Sequence, residues 1–312
     1  MSDIRPRRLG GEIDPRSWDF EPLGQTGPLP NPVGHTFPLI THDENGRWRL
    51  IGTGFYVSDS GFFVTAKHVI EEVYDGGRQR SPLLIVQLNS PNGLFGASEF
   101  LLRPIKQCWL GDQADVAFGV AAPLTNMATG QPLKHWCWTL SLTPPDIGIQ
   151  VATYAFPNHA VLEDGRRFRL APHAFGGRVD DVGDRRDSVM VPFPFIQVST
   201  RIHGAASGGP VIAGSHVVGI NCTEYVADVD HPAGPGFGAQ SRCLTDAFLD
   251  DVVLPGESVS RRVTFHDLAR AGCLSIADHA GATATGEPCG RLVFPHMPPT
   301  AARPALEVET YV

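Results

Sequence analysis

From His35 onward, short apolar runs alternate with turn residues, the pattern of short strands joined by turns. Thr36-Phe37-Pro38-Leu39-Ile40 predicts a strand. Asp43-Glu44-Asn45-Gly46 predicts a hairpin turn, with Asn-Gly supplying positive φ, and Trp48 to Val57 the return strand. Phe62 to Thr65 predicts a third strand that runs into a short helical turn over Ala66 to Val73. Leu83 to Leu88, Glu99 to Leu110 and Asp115 to Val120 follow as strands, the last opening on a carboxylate. Pro123 to Thr143, which holds Trp136 and Trp138, reads as a linker. A second batch of strands is predicted over Ile147–Phe156, Arg166–Val179, Ser188–Pro192, Phe195–Ile202, Pro210–Ala213, Val217–Cys222 and Ala239–Leu244. Short helices are predicted over Leu244–Val253 and Thr264–Ala271, and an irregular tail from Gly281. Residues 1–34 lack periodicity and read as an arm. Two batches of short strands with little helix predict an all-β fold, either two antiparallel barrels or a large sandwich.

Composition narrows the function more than the fold. Hydrophobic residues make up 42% and charged residues 19%, as in a packed globular chain, and the 34 glycines and 27 prolines fit many turns. The net charge is −8, and no block of Lys or Arg forms a nucleic-acid footprint, so nucleic acid is not the expected ligand. The arginine-bearing start is not followed by an apolar segment, and no run is long enough to span a membrane; a cytoplasmic location is the expectation. The six cysteines are accordingly read as reduced, and none are spaced as a zinc knuckle, so neither metal nor cofactor is expected.

Candidate chemistry centres on Gly204-Ala205-Ala206-Ser207-Gly208-Gly209-Pro210, ahead of the apolar Val211-Ile212-Ala213. Small neighbours leave the Ser207 hydroxyl uncovered and nearby backbone N–H groups free to face a developing oxyanion. The same stretch also reads as a simple glycine-rich turn. Two upstream features decide between these. His68 follows a strand in Thr65-Ala66-Lys67-His68, and Asp115 sits in Asp115-Val116-Ala117, with Asp112 as a near competitor. The apolar run after Asp115 favours it over Asp112.

These three motifs, in this order, resemble those of the trypsin-like (chymotrypsin-fold) serine peptidases, closest in character to intracellular bacterial members. The resemblance covers residues 35 to 255 or so. It implies two six-stranded antiparallel barrels with the active site between them. The first barrel would lie in 35–124 with His68 and Asp115, the second in 125–255 with Ser207, and a helix and irregular tail in 256–312. It implies a Ser-His-Asp triad acting through an acyl-enzyme, with the oxyanion held by the N–H groups of Ala205 and Ser207. Two positions depart from the family pattern. Ala205 stands where glycine is usual, and alanine enters positive φ only at a cost. Ala206 precedes the serine where digestive-type members carry an aspartate. The resemblance places the substrate pocket at Arg201, His203, Asn221, Thr223 and Glu224. With Arg201 in place of an aspartate, a preference for Lys or Arg is not expected; Arg201 either points to solvent on a strand edge or, like His203, favours an acidic side chain, and Glu224 is the alternative that would favour a basic one. The expected partners are a protein or peptide substrate and a regulatory protein. The rival expectation is an inactive fold acting as a protein-binding module, with Ala205 as its main support.

Overall fold

The computed structural model describes residues 32–43, 45, 47–75, 78–87, 101–126, 129–162, 167–200, 202, 204–224, 235–245, 247–278, 290–293 and 305–308. Twelve strands build two barrels. In the first they are β1 (Thr36–His42), β2 (Trp48–Tyr56), β3 (Phe62–Thr65), β4 (Leu84–Gln87), β5 (Leu101–Leu110) and β6 (Ala117–Ala121). They run in the order β5-β4-β1-β2-β3-β6, and a β5–β6 pairing closes the ring. In the second they are β7 (Gln150–Leu162), β8 (Arg167–Gly183), β9 (Phe195–Val198), β10 (Pro210–Ala213), β11 (His216–Glu224) and β12 (Gly236–Gln240). Their order is β7-β10-β11-β12-β9-β8, closed by β7–β8. Every pairing within the two rings is antiparallel. This is the chymotrypsin-type all-β architecture that the resemblance implies; the sandwich alternative is excluded. Register shifts at Leu39/Ile40, Ile105/Gln107 and Val211/Ile212 bend the strands as closure requires.

The alternation of side chains along the strands shows how the barrels meet. Leu39, Ile51, Tyr56, Phe63 and Ile85 fill the first barrel's interior. Their neighbours Phe55 and Val64 point the other way and join Val217, Ile220 and Phe237 of the second barrel in one buried cluster. Ile40, Leu50, Leu84 and Val86 do the same against Tyr154, Phe156, Leu170 and Ala174. Both faces of these strands are therefore apolar, which explains why they read as continuous hydrophobic runs. Trp138 belongs to the first of these shared clusters, so the segment expected to be a linker is partly core.

Several expectations on secondary structure are corrected. Asp115 lies in a bend and the strand begins at Ala117. Ser188–Pro192 is not a strand, because the Asp187 carboxylate accepts the N–H groups of Val189, Met190 and Val191 and removes them from any ladder. The segment expected as a strand over 239–244 ends at Gln240 and continues as a 3₁₀ turn, Ser241–Leu244. Phe248–Val252, expected to be helical, is strand β13, paired with β14 (Arg261–Thr264). The helix expected after Thr264 is Phe265–Arg270, with a Thr264/Asp267 capping box. The tail expected to be irregular supplies β15 (Gly290–Val293), which pairs with β5, and β16 (Ala305–Val308), which lies parallel to β8.

Inside the first barrel Arg103 is fully buried. Its Nε donates to the Ala122 carbonyl (2.7 Å), and its Nη1 donates to the Tyr56 hydroxyl (3.1 Å) and to His135 Nε2. No carboxylate among the described residues pairs with it. A guanidinium only donates, so His135 must stay neutral to accept. Burial, and next the Arg103 charge, pull the His135 pKa from 6.5 down to about 3. Below pH 6.5 the unfolded chain therefore takes up a proton that the folded chain refuses. The stability is whole above that pH and is lost as pH falls toward 3, at up to roughly 1.4 kcal/mol per pH unit. Urea midpoints at pH 7 and pH 5 should show this loss, and His135→Gln should flatten it. An equal slope in the variant would contradict the assignment.

Candidate active site

The site is assembled where β3 leaves β2. The two strands pair only at Phe55↔Val64 and Tyr56↔Phe63. After Thr65 the chain turns into the one-turn helix α1 (Lys67–Glu71), which carries His68. This leaves the edge of β2 at Gly52-Thr53-Gly54 without a strand partner on that side. The serine loop takes the place: the Thr53 N–H donates to the Ser207 carbonyl at 2.8 Å, as a ladder bond would. The approach is so close that a Cβ on Gly208 would stand 2.1 Å from Thr65 Oγ1 and 2.2 Å from the Thr53 carbonyl oxygen. Gly208 has φ 85°. No other residue type fits there. The loop's other side is fixed to β11, with Gly208 N–H donating to the Asn221 carbonyl (2.7 Å) and Asn221 N–H to that of Gly209 (2.9 Å). Ser207 is thereby wedged between the barrels, against the segment that delivers His68.

Asp115 holds His68 with both carboxylate oxygens. Oδ2 lies 2.7 Å from the imidazole Nδ1, and Oδ1 accepts the His68 backbone N–H at 3.0 Å. Ala66, the residue at the start of α1, offers no side-chain cap, so Asp115 also satisfies a helix N–H that would otherwise be orphaned. With Nδ1–H donating to the carboxylate, the free ring nitrogen is Nε2, the tautomer a general base requires. Partial burial lowers the His68 pKa, but the Asp115 hydrogen bond and charge outweigh it, with help from Glu71 and Glu72. The net shift is upward from 6.5. The rival Asp112 is exposed and accepts from its neighbour Gln113.

Ser207 is half-buried, and its hydroxyl donates to the Cys222 carbonyl at 3.3 Å instead of to His68. Rotation about its Cα–Cβ bond is needed to redirect it. Cys222 was not singled out from the sequence as a site residue. It is buried, its thiol lies 3.4 Å from the Asp115 carbonyl and 3.3 Å from that of Ile220, and it thus touches the segments of both Ser207 and Asp115. Burial, and next the Asp115 charge, hold the thiol pKa well above its ordinary range, so it remains a protonated donor.

Ala205 has φ 67°, the left-handed conformation that its sequence position suggested would be costly. For alanine this costs about 1 kcal/mol or more. Its carbonyl accepts the Thr53 hydroxyl at 2.7 Å. Thr53 was missed in the sequence, although Gly52 and Gly54 around it carried the signal: glycines inside a strand mark the close approach of another backbone.

Of the pocket residues, Arg201 and His203 lie outside the described residues. Asn221 is buried, its Nδ2 donates to Thr153 Oγ1 (2.5 Å), and its backbone anchors the serine loop. Thr223 and Glu224 are half-buried at the end of β11. Among the described residues no group of three or more His, Cys, Asp and Glu side chains is placed to hold a metal ion.

An NMR titration of the His68 ring tests the clamp without reference to activity. Its pKa should exceed 6.5 in the wild type and drop in Asp115→Asn, where the countercharge is lost. An unchanged value in the variant would show that Asp115 does not govern the ring.

No family model and no curated protein matches the chain. Among solved structures it is similar to Deg5, with TM-score 0.48 and 16% identity over 67% of this chain and 84% of that one. It is also similar to AL20, a thermostable serine protease from an extremophilic microorganism, at TM-score 0.45 and 15% identity over 68% and 93% of the two chains. The MamO protease domain from Magnetospirillum magneticum gives TM-score 0.45 and 14% identity over 67% and 93%. Each of these is a distant likeness of overall fold.

Proposed function

We propose that this protein is a serine endopeptidase that cleaves peptide bonds through an acyl-enzyme on Ser207. The observation that carries the reading is the two-oxygen clamp of Asp115 on His68, beside a serine loop seated on the strand edge that His68's segment vacates. In the reaction, His68 Nε2 takes the Ser207 hydroxyl proton as Oγ bonds to the substrate carbonyl carbon. The carbonyl π pair moves to oxygen, and the N–H groups of Ala205 and Ser207 face the resulting oxyanion. Collapse breaks the C–N bond, and the amine leaves with the proton from His68. Water then repeats the sequence against the acyl ester. Asp115 stabilises the imidazolium throughout and stays ionised. The raised His68 pKa sets the sign of the acid limb. The base works neutral, so kcat/KM climbs as pH rises through that pKa.

The intended substrate is a protein or peptide, and a regulatory protein partner fits a chain whose serine loop lacks the zymogen aspartate. A second reading, an inactive protein-binding module, is favoured by one observation: the Ser207 hydroxyl rests on the Cys222 carbonyl.

A fluorophosphonate probe separates the two. The enzyme reading expects stoichiometric labelling of the wild type, none of Ser207→Ala, and peptide turnover about 10⁶-fold lower in Ser207→Ala or His68→Ala. A folded wild-type chain that resists the probe would support the binding module.

A further inference from the structure

We propose that Thr53, on the first barrel, is the positioning residue that holds the oxyanion loop of the second. This rests on the reading of Ser207 as nucleophile and extends it to a residue far outside the triad. The oxyanion donors are useful only if the Gly204–Ala205 peptide keeps its N–H turned toward the reacting carbonyl, and that orientation depends on the left-handed turn at Ala205. Alanine does not favour the turn. A flip of that one peptide to an ordinary negative φ would carry the N–H away. Nothing packs at Gly204 to prevent it, since a Cβ there would meet no atom within 4 Å. The restraint comes from the other side of Ala205.

Thr53 supplies it with its whole hydrogen-bonding capacity. Its hydroxyl donates to the Ala205 carbonyl at 2.7 Å, and its N–H donates to the Ser207 carbonyl at 2.8 Å. Its own carbonyl accepts the Thr65 hydroxyl at 2.7 Å. It is fully buried, so no water competes for these bonds. Its partner on β1 is Pro38, which has no N–H to offer, and the N–H and hydroxyl of Thr53 bond the serine loop. With the carbonyls of residues 205 and 207 both held, the 205–206 and 207–208 peptides are fixed, and the first of them sets one side of the turn at Ala205. Its methyl packs against the apolar cluster shared by the two barrels. The backbone N–H of Thr53 survives any substitution except proline, so the hydroxyl is the part a variant can remove.

The test uses Thr53→Val, which keeps shape and loses the hydroxyl, and Thr53→Ser, which keeps the hydroxyl. Steady-state kinetics on a peptide substrate and inhibition by a peptidyl aldehyde, which forms a tetrahedral adduct, are measured alongside thermal melting. Thr53→Val is expected to lower kcat about 10- to 100-fold with KM little changed and to weaken the aldehyde in parallel, while Thr53→Ser retains most of both. Ala205→Gly added to Thr53→Val should recover part of the loss, because glycine enters the left-handed turn without strain. Equal losses in the Ser and Val variants, a loss confined to KM, or a glycine double variant no better than Thr53→Val would overturn the role. If the wild type neither turns over peptide nor takes a fluorophosphonate, it is the nucleophile reading that fails. If it does both and Thr53→Val matches it, Thr53 alone is acquitted.

Discussion

The geometry of the site depends on a gap in one β-ladder. Strand β3 pairs with β2 for two residues and then departs to become the segment bearing His68. The Thr65 hydroxyl still reaches the Thr53 carbonyl, but the Thr53 N–H is left without a strand partner. A buried peptide group without a partner is costly, and so is a loop without a seat. The serine loop resolves both: its Ser207 carbonyl accepts the Thr53 N–H, and Gly208, with no side chain, lets the two backbones touch. The same event that positions the candidate base thus creates the dock for the candidate nucleophile. The two sit on different barrels, yet their relation is fixed by short, buried, backbone-level contacts.

Asp115 works by a similar economy. One oxygen orients the imidazole and the other completes the N-terminus of the short helix on which the histidine rides. Side chain and backbone of His68 are therefore set by the same group. Cys222 links the remaining pair, with its carbonyl under the Ser207 hydroxyl and its thiol on the Asp115 backbone. Electrostatics and packing agree here, since every described member of the site is held by at least one contact from the opposite barrel or strand.

How much of this was legible in the chain follows from the range of the interactions involved. The strands of both barrels show as short apolar runs bounded by turn residues, because burial on both faces and the turns between strands are each written locally. His68, Asp115 and Ser207 stand out because each lies in a local motif, and their order adds information. Phe248–Val252 misled: Phe248, Leu249 and Val252 repeat like a helix face, but pairing with Arg261–Thr264 prevails, and Asp251 at φ 61° breaks any helix there. Ser188–Pro192 misled because a single carboxylate, Asp187, captured its N–H groups. Arg103 sits in the expected strand Glu99–Leu110 with nothing around it in the sequence to mark it as buried. Its acceptors, Tyr56 and His135, come from distant parts of the chain and cannot be inferred from its neighbours. The partner of Thr53 was hidden for the same reason, since Ala205 lies 152 positions further along the chain.

The central claim is that Ser207 forms a covalent adduct whose oxygen is received by the N–H groups of Ala205 and Ser207. A crystal structure of the chain treated with a peptidyl boronate tests it most directly. The expected result is continuous density from Ser207 Oγ to boron, with one boronate oxygen about 2.7–3.1 Å from both backbone nitrogens and His68 Nε2 turned to the other. A boronate bound elsewhere, or an adduct with the Ala205 N–H turned away from it, would contradict the claim.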